Sequence, residues 1–366
     1  MATKIIGISR DLIIHPGETI ADILEERSIT QTELAARTGV SPAYVSKVIS
    51  GQKAISSKFA MALEYALDVP KSFWLNLQAN YDSELLEFNE MNTITDDEKK
   101  SCGHLSEVIN YFKKNGRIPD GANKDDVILL LRKILCVSNL TNLKGLVVSG
   151  AFRVSTKDKV DPIVMGAWLQ LCQIIGAQIP APVTKFDEQK TEALVRDLKQ
   201  IMQDDDADLL RDLEHAMSRY GIKFAVIPNF RGAPVHGYIS RNKNGEYQMV
   251  LTIRRAYADI FWFSLFHELG HIVNGDISKP SNFIDSLEGT DPAMEHAADT
   301  FARDSLLNPD SYAKFVQRGD YSIRAIAEYA DTQKVRPYVV IGRLQKERHI
   351  SYTMHSGYKT RYKWAD

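Results

Sequence analysis

The segment Phe266-His267-Glu268-Leu269-Gly270-His271 constrains this chain more than any other, because it carries two imidazoles four residues apart inside a strongly apolar stretch. On a helix, His267 and His271 lie about 40° apart on one face and can grip a single ion. Glu268 lies about 100° round from His267, beside such an ion rather than on it, where a carboxylate can take a proton from water. Upstream, Ile222–Ile227 and Tyr247–Ile253 read as strands, the second after an Asn244-Gly245 turn. The spacing therefore predicts strands followed by a helix over Asp259–Asn274.

Catalytic zinc takes three protein ligands and keeps one position open. Within Met294–Ala302, helical spacing puts Glu295 and Asp299 on one face. Glu295 is the expected third ligand, with Asp299 as the carboxylate that orients a ligand imidazole. Asp276, Glu288, Asp291 and His296 are rivals for the third position; Asp276 follows His271 by only five residues, and Glu288 and Asp291 lie in a loop containing Gly and Pro. His236 and Tyr238 are candidate donors to a developing oxyanion.

The HExxH segment, the Glu295/Asp299 pair, Phe261-Trp262-Phe263 and the run from Phe301-Ala302-Arg303-Asp304 to Leu307-Asn308-Pro309 together resemble the ImmA/IrrE metallopeptidases over roughly residues 206–315. The resemblance implies a zincin-like fold with a small sheet, one Zn2+, and endopeptidase cleavage of a helix-turn-helix repressor under stress. Asn274-Gly275-Asp276 departs from it, since many members carry another His there.

The N-terminal region reads differently. Gly17–Leu24 and Thr30–Arg37 have helical apolar spacing, and Thr30-Gln31-Thr32-Glu33 has the capping-box pattern. A turn at Thr38-Gly39-Val40 leads to a third helix capped by Ser41 with Pro42 at its first position. Ala35, Gly39, Val45 and Val48 are expected to face inward, leaving Ala43, Tyr44, Ser46 and Lys47 outward. This is a helix-turn-helix layout, in which the start of the second helix reaches base edges. Gln31, Ser41, Ala43, Tyr44, Ser46 and Lys47 are the expected contacts to a double-stranded DNA operator.

From His15-Pro16-Gly17-Glu18 to Trp74-Leu75-Asn76-Leu77-Gln78, the region resembles the Xre-type regulators and, within them, the HigA antitoxins. That resemblance implies transcription regulation and a toxin-antitoxin partnership. A small helical bundle using the motif for protein contact is the alternative. Residues 1–80 carry eight Lys or Arg and eight Asp or Glu, so affinity per subunit is expected to be modest and a homodimer would compensate.

The chain of 366 residues exceeds what one core readily supports, and the expected division is 1–82 for the DNA reader, 83–205 for a helical middle region and 206–366 for the peptidase. The overall expectation is an α+β protein, mostly helical. Val127–Leu135 and Gly166–Ile175 read as buried helices, with Trp168 in the core, and Glu90–Ser101 reads as a linker whose cleavage would separate reader from peptidase. Asp204-Asp205-Asp206 lacks calcium-loop spacing and reads as a solvated cap.

Cys102, Cys136 and Cys172 are too far apart for a thiolate zinc pair. The start lacks a signal-peptide core and no uncharged apolar run approaches about 18 residues, so a cytoplasmic protein without membrane contact is expected. Arg343, Lys346, Arg348, Lys359, Arg361 and Lys363 suggest a solvated basic tail, though Tyr358, Tyr362 and Trp364 would pack part of it down. Two functional readings follow: an active zinc peptidase joined to a DNA reader, or a repressor or antitoxin whose peptidase-like domain only senses or binds.

Overall fold

The computed structural model describes residues 13–147, 160–206, 208–254, 256–277 and 292–364. These group into two compact units, one drawn from Met1–Asp96 with Pro119–Leu129, the other from Asp97–Ile118 with Leu130–Asp366. Residues 83–205, read from sequence as a middle region, are divided between them.

The first unit contains α1 (Pro16–Glu26), α2 (Gln31–Thr38), α3 (Pro42–Ile49), α4 (Ser57–Leu67) and α5 (Lys71–Glu90). Side chains set the helix starts. Thr30 Oγ1 accepts from the Glu33 amide at 3.1 Å, and the Ser41 and Ser56 hydroxyls accept from the Tyr44 and Phe59 amides at 3.2 Å each. Gly39, at φ +69°, closes α2 in the left-handed conformation. It is exposed rather than inward-facing, because its role is in the backbone turn. Gly17 is required where α1 meets α3, since a Cβ there would lie 2.2 Å from the Val48 carbonyl oxygen. Ile20, Leu34, Val45, Val48, Leu63 and Trp74 form the buried centre. The expected linker is much shorter than its sequence suggested: α5 runs to Glu90 and α6 starts at Asp96.

The helices α6 (Asp96–His104), α7 (Ser106–Lys114), α8 (Lys124–Ile134), α9 (Leu143–Val147), α10 (Pro162–Gln178), α11 (Thr191–Gln203) and α12 (Leu209–Arg219) precede a small sheet. Its strands are β1 (Ile222–Ile227), β2 (Gly237–Arg241) and β3 (Tyr247–Thr252), in the order β1-β3-β2. The central β3 pairs parallel with β1, Ile222 opposite Tyr247, and antiparallel with β2, Gly237 opposite Leu251. Gly245, at φ +81°, turns the β2–β3 hairpin.

Among the described residues, the α-helices that follow are α13 (Ala258–Val273), α14 (Pro292–Leu306), α15 (Pro309–Arg318), α16 (Ile323–Thr332) and α17 (Pro337–Lys346). Strand alternation directs Phe224, Ile239, Met249 and Leu251 into one core with Trp262, Leu265, Phe266 and Leu269 of α13. The opposite face meets α10, where Trp168 is fully buried against Tyr238 and Gln248 Nε2 donates to the Cys172 carbonyl at 2.7 Å. Thus α13 carries the His motif flat against the sheet.

The basic tail is not simply solvated. Arg361 bridges to Tyr257, Trp262 Nε1 donates to the Tyr362 hydroxyl at 2.9 Å, and Lys359 pairs with Asp259 at 2.7 Å. Burial of Trp262 and Tyr362 anchors this segment beside α13. Among the described residues no helix is long and apolar enough to cross a membrane.

Candidate metal centre and nucleic-acid interface

Two helices build the metal centre, and a glycine sets their separation. A Cβ on Gly270 would lie 3.0 Å from Ala298 Cα and 3.1 Å from its carbonyl oxygen, so α13 and α14 touch almost backbone to backbone. This approach brings Glu295 to the two imidazoles. His267 Nε2 and His271 Nε2 are 3.1 Å apart, Glu295 Oε2 is 3.4 Å from the first and Glu295 Oε1 is 3.7 Å from the second. Zinc bonds of about 2.0–2.2 Å in tetrahedral geometry space donors by roughly 3.3–3.6 Å. The three distances straddle that span, and two imidazoles with one carboxylate are a donor set that suits zinc.

The outer imidazole nitrogens are also held. His267 Nδ1 donates to Asp299 Oδ1 at 2.8 Å, and His271 Nδ1 donates to Asp276 Oδ2 at 2.7 Å. Each bond places the proton on Nδ1 and turns the Nε2 lone pair toward the shared point. Asp299 lies where helical spacing put it. Asp276, considered above only as a rival ligand, instead orients His271, because the turn after α13 brings it to the outer nitrogen. Its proximity to a ligand His was the available signal. His296 is exposed and is not among the three converging donors; Glu288 and Asp291 lie outside the described residues.

Glu268 is buried at 6% exposure and faces Gly237 of β2, where a Cβ would lie 2.3 Å from Glu268 Oε1. Nothing local in the sequence marked Gly237. Glu268, His267, Asp299, His236, Phe263 and Arg303 share a cavity of about 820 Å³. His236 is placed on this wall, with Arg254 Nη1 donating to its Nε2 at 3.2 Å. Tyr238 is not: alternation turns it to the other face of the sheet against Trp168, and burial pushes its phenol well above the usual range. It is withdrawn as an oxyanion donor. Deeper in the cavity, burial raises the Asp259 carboxyl while Lys359 beside it works in the opposite direction.

In the first unit, Ala43, Ser46 and Lys47 are exposed on α3, and Gln31 is exposed at the start of α2. Ser41 is exposed too, but its hydroxyl is engaged as the α3 cap. Tyr44 departs from the outward reading. Its ring packs edge-on against Phe59 at 5.1 Å, its hydroxyl lies 3.5 Å from Ser56 Oγ, and Lys53 Nζ sits 4.3 Å from the ring centre. Helical rotation leaves Tyr44 at the border between the core and the exposed face.

Comparison with known families matches residues 20–74 to the helix-turn-helix model. The N-terminal unit contains a helix-turn-helix domain. This domain's relatives include virulence-associated protein A' of Dichelobacter nodosus, 41% identical over 69 residues that make up 19% of this chain and 60% of that protein. The match thus spans less than two thirds of that relative. The uncharacterized HTH-type transcriptional regulator YddM of Escherichia coli is 29% identical over 64 residues, 18% of this chain and 68% of that protein. Among solved structures, a candidate antidote protein of a plasmid maintenance system from Nostoc punctiforme is 38% identical, with 22% of this chain and 97% of that chain covered and a TM-score of 0.20. An addiction-module antidote protein of a HigA family from Coxiella burnetii is 24% identical, with 28% and 91% covered and a TM-score of 0.20.

Proposed function

We propose that this chain is a DNA-binding transcriptional regulator carrying a zinc-dependent endopeptidase that hydrolyses a peptide bond in a regulatory protein. The observation that carries the peptidase reading is the convergence of His267, His271 and Glu295 at zinc-like donor spacing, with Glu268 buried beside them. Asp299 and Asp276 take the outer imidazole nitrogens, and Glu268 lines the cavity beside His267, a position that suits a proton acceptor. A zinc ion held by the three residues supplies Lewis acidity, polarising a carbonyl and making water more acidic.

Glu268 would take a proton from water as the water oxygen bonds to the carbonyl carbon, and would return it to the amine nitrogen as the C–N bond breaks. Asp299 and Asp276 hold the Nδ1 protons, so each imidazole turns its Nε2 toward the ion. His236, on the same cavity wall, is the remaining candidate to steady negative charge on the substrate oxygen.

DNA recognition is assigned to α3, with Ala43 and Ser46 toward base edges, Lys47 toward a phosphate and Gln31 approaching from α2. The balanced charge of residues 1–80 favours a homodimer on two half-sites. The resemblance of His15–Gln78 to HigA antitoxins extends the reading to a toxin as protein partner.

Metal analysis combined with incubation against co-encoded proteins tests the proposal. The expected result is about one zinc per chain, lost in His267→Ala/His271→Ala, and a cut that disappears in Glu268→Gln while zinc stays bound. Zinc retained by the double variant would overturn the site. Zinc binding without a cut would favour the sensor reading.

A further inference from the structure

Along α14, Glu295, Asp299 and Arg303 recur every fourth residue and so occupy one face of the helix. The first two engage His267, and Arg303 continues that face into the cavity shared with His267 and Glu268. Four cations line this cavity, and two already have carboxylate partners. Lys359 pairs with Asp259 at 2.7 Å; Arg343 pairs with Glu347 at 3.0 Å and lies 3.9 Å from the Tyr312 ring centre. Lys346 is exposed. Arg303 is different: Nη2 donates to Thr300 Oγ1 at 2.8 Å, while Nε is buried with no hydrogen-bond partner and no carboxylate lies within ion-pair distance among the described residues. A buried donor left unmade is costly, and a guanidinium stays charged and matches the planar fork of a carboxylate.

We propose that Arg303 reads a carboxylate on the peptide substrate, close to the bond that is cut. The inference rests on the peptidase reading above and names the substrate class of that site. The helix sets the range: Arg303 lies about 6 Å along the axis from Asp299 and about 12 Å from Glu295. An extended peptide advances about 3.3–3.6 Å per residue, so the carboxylate belongs within about three residues of the scissile bond. Phe263 and Leu306 line the cavity as well and suit the methylene stem of an acidic side chain. A terminal carboxylate offers Arg303 the same chemistry.

Peptide hydroxamates test this with the zinc-loaded full-length chain, because the hydroxamate engages the metal whatever the peptide sequence. One pair carries Glu or Gln at the first residue after the hydroxamate, both C-terminally amidated. A second pair carries Leu there with a free or an amidated C-terminus. Binding constants from calorimetry are expected to favour the carboxylate member of one pair by about tenfold, with the ratio falling to near one in Arg303→Gln and partly returning in Arg303→Lys. Which pair discriminates distinguishes a side-chain from a terminal carboxylate. Ratios near one for both pairs in the unaltered chain would overturn the inference and leave Arg303 as a cation at a helix end. A ratio unchanged by Arg303→Gln would overturn it equally. Failure of every hydroxamate to bind would overturn the zinc reading, and the inference with it.

Discussion

Replacing Gly270 by alanine puts one methyl group at the narrowest point between α13 and α14, and the two consequences can be weighed. The new carbon would lie 3.0 Å from Ala298 Cα, 3.1 Å from its carbonyl oxygen and 3.2 Å from Phe301 Cδ1. Comfortable carbon contacts are about 3.5–4.0 Å, so the helices must part by roughly 0.5–1 Å. In an open helix the same change would stabilise by about 1 kcal/mol, because alanine loses less backbone entropy. Overpacking costs about 1–3 kcal/mol, so the expected net effect is a loss of up to about 2 kcal/mol. The parting also draws Glu295 away from His267 and His271, now 3.4 Å and 3.7 Å distant, and zinc affinity should fall at least tenfold. Urea unfolding of the zinc-free chain measures the first effect, and competition with a chromogenic chelator the second. A Gly270→Ala chain that is about 1 kcal/mol more stable and binds zinc unchanged would refute the argument that this contact sets the site.

Other perturbations separate the parts of the molecule. Asp299→Asn and Asp276→Asn should each lower zinc affinity by about 10–100-fold in chelator competition, since each loosens one imidazole. Gly237→Ala should displace the Glu268 carboxylate and slow cleavage while zinc content, read by metal analysis, stays the same. Lys199 joins the ends of α14 and α16 through the Leu306 and Gln333 carbonyls, and burial lowers its pKa to about 8. Between that value and its unfolded 10.5 the unfolded chain binds more protons, so this group's contribution to stability rises with pH; unfolding at pH 7 and 9.5 should show that slope vanish in Lys199→Met. Lys47→Ala should weaken operator binding on all sequences and reduce the salt slope by about one, whereas Tyr44→Ala should also lower the melting temperature through the lost Phe59 contact.

What local sequence determined here is whatever depends on neighbours along the chain. Thr30, Ser41 and Gly39 mark helix ends because caps and left-handed turns involve residues within four positions. His267 and His271 share one helix face, and Glu295 and Asp299 share another, so periodicity alone places each pair. The two pairs meet only because Gly270 lets α14 approach, a fact about two helices separated by residues 274–291. Tertiary structure likewise decided that Gly237 backs Glu268 and that Tyr238 packs against Trp168, away from the site. The physical reason is range: hydrogen bonds in helices and turns are written in adjacent residues, whereas packing distances between elements depend on the whole core that presses them together.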